Sequence, residues 1–182
     1  MNLEEKQLSA EYMYEGKIIN LRRDTALLPN GNTALREVVE HPGGVCVAAL
    51  TDNDEVLFVK QFRYPYFETI LEIPAGKRDK AGEDPLACGI RELKEETGAT
   101  AQKFIPLGEL YPTPGYCGEI IWLYAATGLS FSEQNLDEDE FLTVEKIPLE
   151  KAVEMILSGE IKDAKTQTAV LKLKLLKESG KI

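Results

Sequence analysis

Five carboxylates and two cations crowd the stretch GEDPLACGIRELKEETGA at residues 82–99. Glu92 and Glu96 stand four apart, a spacing that puts two side chains on one helix face, and Glu95 lies one position from the second. Like charges so placed repel by about 0.2–0.5 kcal/mol per pair on an isolated helix. Two readings accommodate them. One is a solvated charged helix, with Arg91 and Lys94 as local ion-pair partners. The other is a hard-cation site, because oxygen ligands converging from one helix face suit Mg²⁺ or Mn²⁺. Spacing alone leaves both open.

Other chemistries have less to draw on. His41 is the single histidine, so Ser-His-Asp catalysis, Cys-His catalysis or a multi-histidine metal centre would each rest on it. No serine sits in a GxSxG elbow, and there is no GxxxxGK[ST] phosphate loop. Cys46, Cys88 and Cys117 are odd in number without CxxC spacing, which fits reduced thiols and predicts a cytoplasmic protein. The start MNLEEKQLSAEY has no apolar run, and no later run approaches spanning length, so no membrane partner is expected. The 182 residues carry 31 acidic and 21 basic side chains, a net charge of −10, which argues against nucleic acid. The same excess stands in apparent conflict with any polyanionic substrate.

The elements that must position the carboxylates can be read around them. Asp84 is placed to cap a helix with Pro85 at its first position, and Gly98 to stop it. Leu86, Ile90 and Leu93 predict its buried stripe. Upstream, 18–28 and 33–40 read as strands about the turn LPNGN, an N-terminal β-hairpin without a clean buried face. Such a hairpin needs something to pack against, the rest of the chain or a second copy. His41-Pro42-Gly43-Gly44 predicts a boundary, giving an N-terminal β domain at 1–42 and a second domain at 43–182. VCVAAL (45–50) and EVLFVKQFR (55–63) predict a second hairpin about TDND, and ETILEIPAG (68–76) one short strand entering a glycine-ended loop. Strands are expected at 104–111, 119–127 and 141–147, followed by two helices. One carries Leu149, Ala152, Val153, Ile156 and Leu157, and the other begins after Asp163 and continues to about Ser179. Strands and helices mix without βαβ alternation, so the fold class is α+β.

The whole string resembles the Nudix box, the Gly-x5-Glu-x7-Arg-Glu-apolar-x-Glu-Glu-x-Gly-apolar signature of Nudix hydrolases. Glu83 and Arg91 are separated by the required seven residues, and Arg91 through Gly98 match position by position. The chain departs twice: six residues rather than five separate Gly76 from Glu83, and Ala99 is small for the final apolar position. The resemblance implies a Nudix α/β/α sandwich carrying out metal-dependent hydrolysis of a nucleoside diphosphate linked to another group. Glu92 and Glu96 would then be the main metal ligands, joined by Glu95 and the backbone carbonyl of Ala75. Gly76, Glu83, Arg91 and Gly98 would hold the loop–helix geometry. Two or three Mg²⁺ per site are implied, with Mn²⁺ an acceptable substitute.

The flanks narrow the branch. VKQFR (59–63), LEIPAG (71–76), YPTPGYCGE (111–119) and LDEDE (136–140), with the N-terminal hairpin, look like bacterial ADP-ribose pyrophosphatases over nearly the full chain. That implies cleavage of ADP-ribose to AMP and ribose 5-phosphate by water attack on phosphorus. Arg36 and Arg63 would contact substrate, and Thr113, Pro114, Gly115 and Glu119 would line the ribose and phosphate region. From local sequence alone, Arg63 reads equally as an exposed strand end, and FRYPYF (62–67) as core or as purine-pocket support. The N-terminal hairpin would mediate a homodimer by exchange across a two-fold axis, so that Arg36 serves the partner subunit's site. A glutamate of the 137–140 run would activate the water: Glu138 first, Glu140 second or as a further metal ligand, with Glu95 beside them. Without the resemblance, four adjacent acids read as solvated charge. The alternatives are another sugar nucleotide such as GDP-mannose, or a non-catalytic ADP-ribose or nucleotide sensor. Residues 83–96 hold three of the ten excess negative charges and 137–140 four more, which localises the acid excess at the expected metal site.

Overall fold

The computed structural model describes residues 2–78, 82–138 and 140–182. They form two compact units, one running up to Gly43 and including Tyr111–Ile120, the other made of Gly44–Leu110 and Ile121–Ile182. The sequence-based division at 42/43 did not group the 111–120 segment with the N-terminal residues.

The first unit is a three-stranded antiparallel sheet in the order β1 (Lys6–Glu15), β2 (Asn20–Leu27), β3 (Thr33–Glu40). The expected hairpin is its β2–β3 pair, closed by Gly31 at φ 85° and the Gly31 N–H to Leu28 carbonyl bond of 2.9 Å. The strand β1 was not expected. Leu8, Ala10, Tyr12 and Tyr14 do alternate, but every β1 residue is exposed, so no buried face sharpened the pattern. Segment 111–120 joins β3 through Val39, whose N–H donates to the Tyr116 carbonyl (2.8 Å) and whose carbonyl accepts the Gly118 N–H (2.9 Å).

The second unit contains two sheets and three helices. Its strands are β4 (Gly44–Ala49), β5 (Glu55–Arg63), β6 (Glu68–Glu72), β7 (Ala75–Lys77), β8 (Ala99–Leu110), β9 (Ile121–Phe131) and β10 (Leu142–Pro148). The helices are α1 (Pro85–Thr97), α2 (Leu149–Leu157) and α3 (Ala164–Glu178). A mixed sheet runs β7-β4-β9-β8, with β4 and β9 parallel, and an antiparallel sheet runs β10-β5-β6.

Two expectations are corrected here. The second hairpin does not form, because β4 and β5 belong to different sheets; the turn between them holds the isolated Leu50–Val56 bridge and a Thr51 N–H to Glu55 carbonyl bond of 2.8 Å. All six β4 residues are buried, which is what a central strand covered on both faces requires. The 68–76 segment is two strands, since Ile73-Pro74 turns the chain from one sheet into the other. Pro74 has no N–H for a ladder, while its carbonyl accepts the Val47 N–H at 2.9 Å.

Helices cover β4 from both sides. Cys46 and Ala48 belong to the larger core with Val56, Phe58, Leu123 and the α2 and α3 residues Leu149, Ala152, Val170 and Leu173. Val47 and Ala49 pack instead with Leu57, Ala126 and Leu93 of α1. Among the described residues, no helix is long and apolar enough to cross a membrane.

Candidate metal and active site

The position of α1 follows from its ends and its one close contact. Asp84 accepts the Ala87 N–H (3.0 Å), Pro85 starts the first turn, and Gly98 at φ 69° ends the helix with its N–H on the Lys94 carbonyl. Gly89 faces β4 so closely that an added Cβ would lie 3.0 Å from Val45 Cγ2. Cys88, Gly89, Glu92, Leu93, Glu96 and Thr97 are buried, whereas Ile90 is exposed. The expected stripe of Leu86, Ile90 and Leu93 is therefore rotated, because the close approach at Gly89 turns the two glutamates inward.

Inward, the carboxylates meet the backbone of β7. Glu96 Oε2 accepts the Ala75 N–H at 2.9 Å. A Cβ on Gly76 would sit 1.9 Å from the Glu92 carboxyl carbon, so glycine is the one residue that fits against that group. Despite the extra residue between them, Gly76 lies on Glu92, and Glu83 lies within 3.5 Å of Arg91. The inserted loop itself, at 79–81, falls outside the described residues.

Arg91 gathers the acids of the helix: Nη1 lies 2.8 Å from both Glu92 Oε1 and Glu95 Oε2, and Nε is 3.5 Å from Glu83 Oε1. Glu83 Oε2 is buried without a hydrogen-bond partner.

The acidic loop is brought to this place by the end of α1. Asn135 N–H donates to the Glu95 carbonyl (3.0 Å), Ser132 N–H to the Gly98 carbonyl (2.8 Å), and Gln134 Nε2 to the Glu96 carbonyl. These bonds satisfy carbonyls that a helix terminus leaves open. The result is a cavity of about 210 Å³ lined by Arg63, Ala75, Gly76, Arg91, Glu92, Glu95 and Glu140, together with Gln61, Lys77, Asn135 and Asp137. The last four were not singled out from sequence as individual site residues. Asn135 owes its place to a backbone bond that no side-chain pattern announces. Glu138 is exposed and does not line this cavity, Glu140 does, and Asp139 lies outside the described residues.

Of the remaining expected residues, Arg36, Thr113, Pro114, Gly115 and Glu119 sit in the first unit and Arg63 in the second. Arg36, Pro114 and Gly115 line a groove of about 320 Å³, where Arg36 holds Glu5 at 2.6 and 2.8 Å. The Thr113 carbonyl accepts the N–H groups of Tyr116 (3.3 Å) and Cys117 (3.0 Å). Glu119 Oε1 lies 3.4 Å from His41 Nδ1, which accepts the Gly43 N–H. Arg63 is only partly exposed, and its guanidinium is held by Glu72.

Burial dominates the electrostatics. Desolvation raises the Glu92 carboxyl to about 7 against the pull of Arg91, and raises Glu96 to about 8 against the Ala75 N–H bond. Glu140 is also raised, first by desolvation, with Asp137 and Glu95 adding repulsion. Among the described residues no three acidic, histidine or cysteine side chains already converge as ligands, since Arg91 holds Glu92 and Glu95, and Ala75 one oxygen of Glu96. The donor set nevertheless fits a hard divalent cation: every candidate donor is oxygen, two carboxylates are buried with too little compensating charge, and Gly76 leaves room against them.

A pH dependence follows. A carboxyl raised in the folded state contributes stability that is complete below its unfolded value near 4.5 and is lost as pH climbs through the folded value. In EDTA the melting temperature should fall by several degrees between pH 6 and pH 9, and Mg²⁺ should restore more of it at pH 9 than at pH 6. A metal-free melting temperature that rises over that interval would contradict the burial of Glu92 and Glu96.

The chain matches the model of the NUDIX domain over residues 33–169, and that of the nucleoside diphosphate sugar hydrolase N-terminal domain over residues 5–39. It is 46% identical over 176 residues to the ADP-ribose pyrophosphatase of Bacillus subtilis (strain 168), covering 96% of this chain and 95% of that one. It is 43% identical over 174 residues to the methanol dehydrogenase activator of Bacillus methanolicus, covering 94% of each. A crystal structure of an ADP compounds hydrolase superposes with a TM-score of 0.85 over 100% of both chains at 21% identity, a likeness of fold.

Proposed function

The chain belongs to the NUDIX domain family, and from that premise we propose that it hydrolyses the pyrophosphate of ADP-ribose to AMP and ribose 5-phosphate by attack of water on phosphorus. The observation that carries this reading is the near-full-length similarity to an ADP-ribose pyrophosphatase, which includes the N-terminal strands as well as the carboxylate helix.

The residues divide the work as follows. The Ala75 carbonyl, Glu92, Glu95 and Glu96 would hold two or three Mg²⁺, with Mn²⁺ also suited. When bound, these ions would supply positive charge to the phosphate oxygens and make a coordinated water more acidic. Gly76 keeps the backbone in contact with the Glu92 carboxylate, and Arg91, tied to Glu83, holds the helix carboxylates in register. Gly98 ends the helix where the acidic loop can attach. Arg63 offers its guanidinium to the phosphates. Glu140 takes the proton of the attacking water as the new P–O bond forms and the bridging P–O bond breaks. Its place in the cavity lining, and a carboxyl that desolvation makes more basic, favour it over the exposed Glu138.

A cavity of about 210 Å³ is small for a dinucleotide-sized ligand. The reading therefore includes a homodimer in which the N-terminal sheet crosses to the other subunit, with Arg36, Thr113, Pro114, Gly115 and Glu119 completing the substrate site. The exposed apolar residues Leu8, Tyr12, Met13 and Tyr14 of β1 support a second copy as the partner of that sheet.

The test is a panel of ADP-ribose, GDP-mannose, ADP-glucose, NADH and diadenosine polyphosphates, scored by kcat/KM with products identified. ADP-ribose should lead by about tenfold or more, the separation that one or two differential contacts provide. GDP-mannose in first place would move the substrate to that neighbouring branch. Tight ADP-ribose binding without turnover of any compound would replace the enzyme by a sensor.

A further inference from the structure

Behind Arg63 lies a buried circuit of charge that the carboxylate site does not use. Arg63 Nε and Nη2 lie 2.6 and 2.8 Å from the two oxygens of Glu72, a carboxylate only 2% exposed. The same Glu72 takes the ammonium of Lys165, whose other partner is Asp163 Oδ2 at 3.1 Å. Asp163 caps α3, accepting the Thr166 N–H (2.9 Å) and the Thr166 hydroxyl (2.6 Å). Fully buried Thr166 closes the circuit by accepting the Ile73 N–H at 2.9 Å, two residues before Ala75. Desolvation acts against the charges of Glu72, Arg63 and Lys165, yet Arg63 and Lys165 together hold the Glu72 carboxyl below the usual range.

The arrangement has an electrostatic consequence. Arg63 and Lys165 balance Glu72 and Asp163, and Asp163 is further favoured by the N-terminal turn of α3. Without Lys165, Arg63 alone would face both carboxylates, and the circuit would carry one excess negative charge beside the guanidinium. With it, Glu72 is shared between two cations, and its two bonds to Arg63 fix the guanidinium plane without an uncompensated acid behind it.

We propose that Lys165 is a positioning residue for an anionic, pyrophosphate-bearing substrate: by satisfying Glu72 it keeps Arg63 both oriented and electrostatically available, and through Asp163 and Thr166 it fixes the Ile73–Ala75 backbone. This rests on the reading of the cavity as a phosphate site. It adds a residue ninety positions downstream of the carboxylate loop-entry strand, on a helix that contributes no lining to the cavity.

The experiment uses the full chain with Mg²⁺ and inorganic pyrophosphate as the calorimetric probe, alongside kcat and KM for ADP-ribose. Lys165→Met should weaken pyrophosphate binding about tenfold, the order expected for losing one low-dielectric charge near the site. It should raise KM for ADP-ribose similarly, with kcat changed by less than about threefold. Lys165→Arg should stay close to the original chain, and Arg63→Ala combined with Lys165→Met should be no weaker than Arg63→Ala alone. Should Lys165→Met fail to fold, Lys165→Gln, which keeps a donor to Glu72 without the charge, is measured in the same way. Unchanged pyrophosphate affinity in a folded Lys165 variant overturns the proposal. So do multiplying effects of the two substitutions, or an original chain that binds no pyrophosphate. A chain that binds pyrophosphate but leaves ADP-ribose intact defeats the proposed reaction instead, and the calorimetric comparison still decides the role of Lys165.

Discussion

Replacing Glu96 by glutamine should lower ADP-ribose turnover on the order of 10³-fold while leaving the metal-free protein at least as stable as before. The two halves of that expectation share one cause. Glu96 is 1% exposed, and burial raises its carboxyl to about 8, so near neutral pH without metal it is largely protonated. A glutamine has the same shape, can still accept the Ala75 N–H, and removes a group whose ionisation opposes folding at higher pH. What it cannot do is present a negative charge to a divalent cation. Glu92→Gln should also lose turnover, with an added loss of stability, because its carboxylate shares Arg91 with Glu95 and packs on Gly76. Circular dichroism, melting in EDTA and Mg²⁺ calorimetry separate the two effects. Undiminished turnover in both variants would remove the carboxylate helix from the chemistry.

The second large effect distinguishes two neighbouring acids. Glu140→Gln should reduce kcat by about 10²–10⁴-fold, the range for losing a general base, with Mg²⁺ binding and KM nearly preserved. Glu138→Gln should change kcat by less than about threefold. The reason is placement: Glu140 lines the cavity with Glu92 and Glu95, its N–H is held by the Asp137 carbonyl at 3.0 Å, and Glu138 is exposed. A large kcat loss in Glu138→Gln with Glu140→Gln unaffected would mean that the loop turns on substrate binding and that Glu138 is the base.

How much of this could be read from the residues depended on whether the signal was local. Asp84-Pro85 and Gly98 bound the carboxylate helix correctly because capping is settled within a few residues. Asp163 and Ser179 bracketed α3 for the same reason. The separation of β4 from β5 was not legible, because two apolar runs about a turn look alike whether they pair with each other or enter different sheets. The rotation of α1 was also hidden. An apolar stripe at Leu86, Ile90 and Leu93 is a sound expectation until Gly89 meets Val45, and that contact depends on tertiary packing. In the acidic run, motif matching favoured Glu138; the structure has Glu140 in the cavity lining and Glu138 exposed, a difference that adjacent acids in one loop do not signal. The Lys165–Glu72–Arg63 circuit joins residues more than ninety positions apart and had no local signature.

The acid excess also takes on a definite meaning. Seven of the ten excess negative charges lie in residues 83–96 and 137–140. Glu92, Glu95, Asp137 and Glu140 of those two segments line one cavity. Two or three divalent cations would add four to six positive charges there, so the site should repel a pyrophosphate when empty of metal and attract one when loaded.

The most direct measurement is therefore the release of AMP from ADP-ribose by the full chain, with Mg²⁺ and again after EDTA. Equal amounts of AMP and ribose 5-phosphate with Mg²⁺, none in EDTA, and recovery when Mg²⁺ is restored are what the carboxylate site predicts. Release at the same rate in EDTA, or no release in either condition by a folded chain, would contradict it.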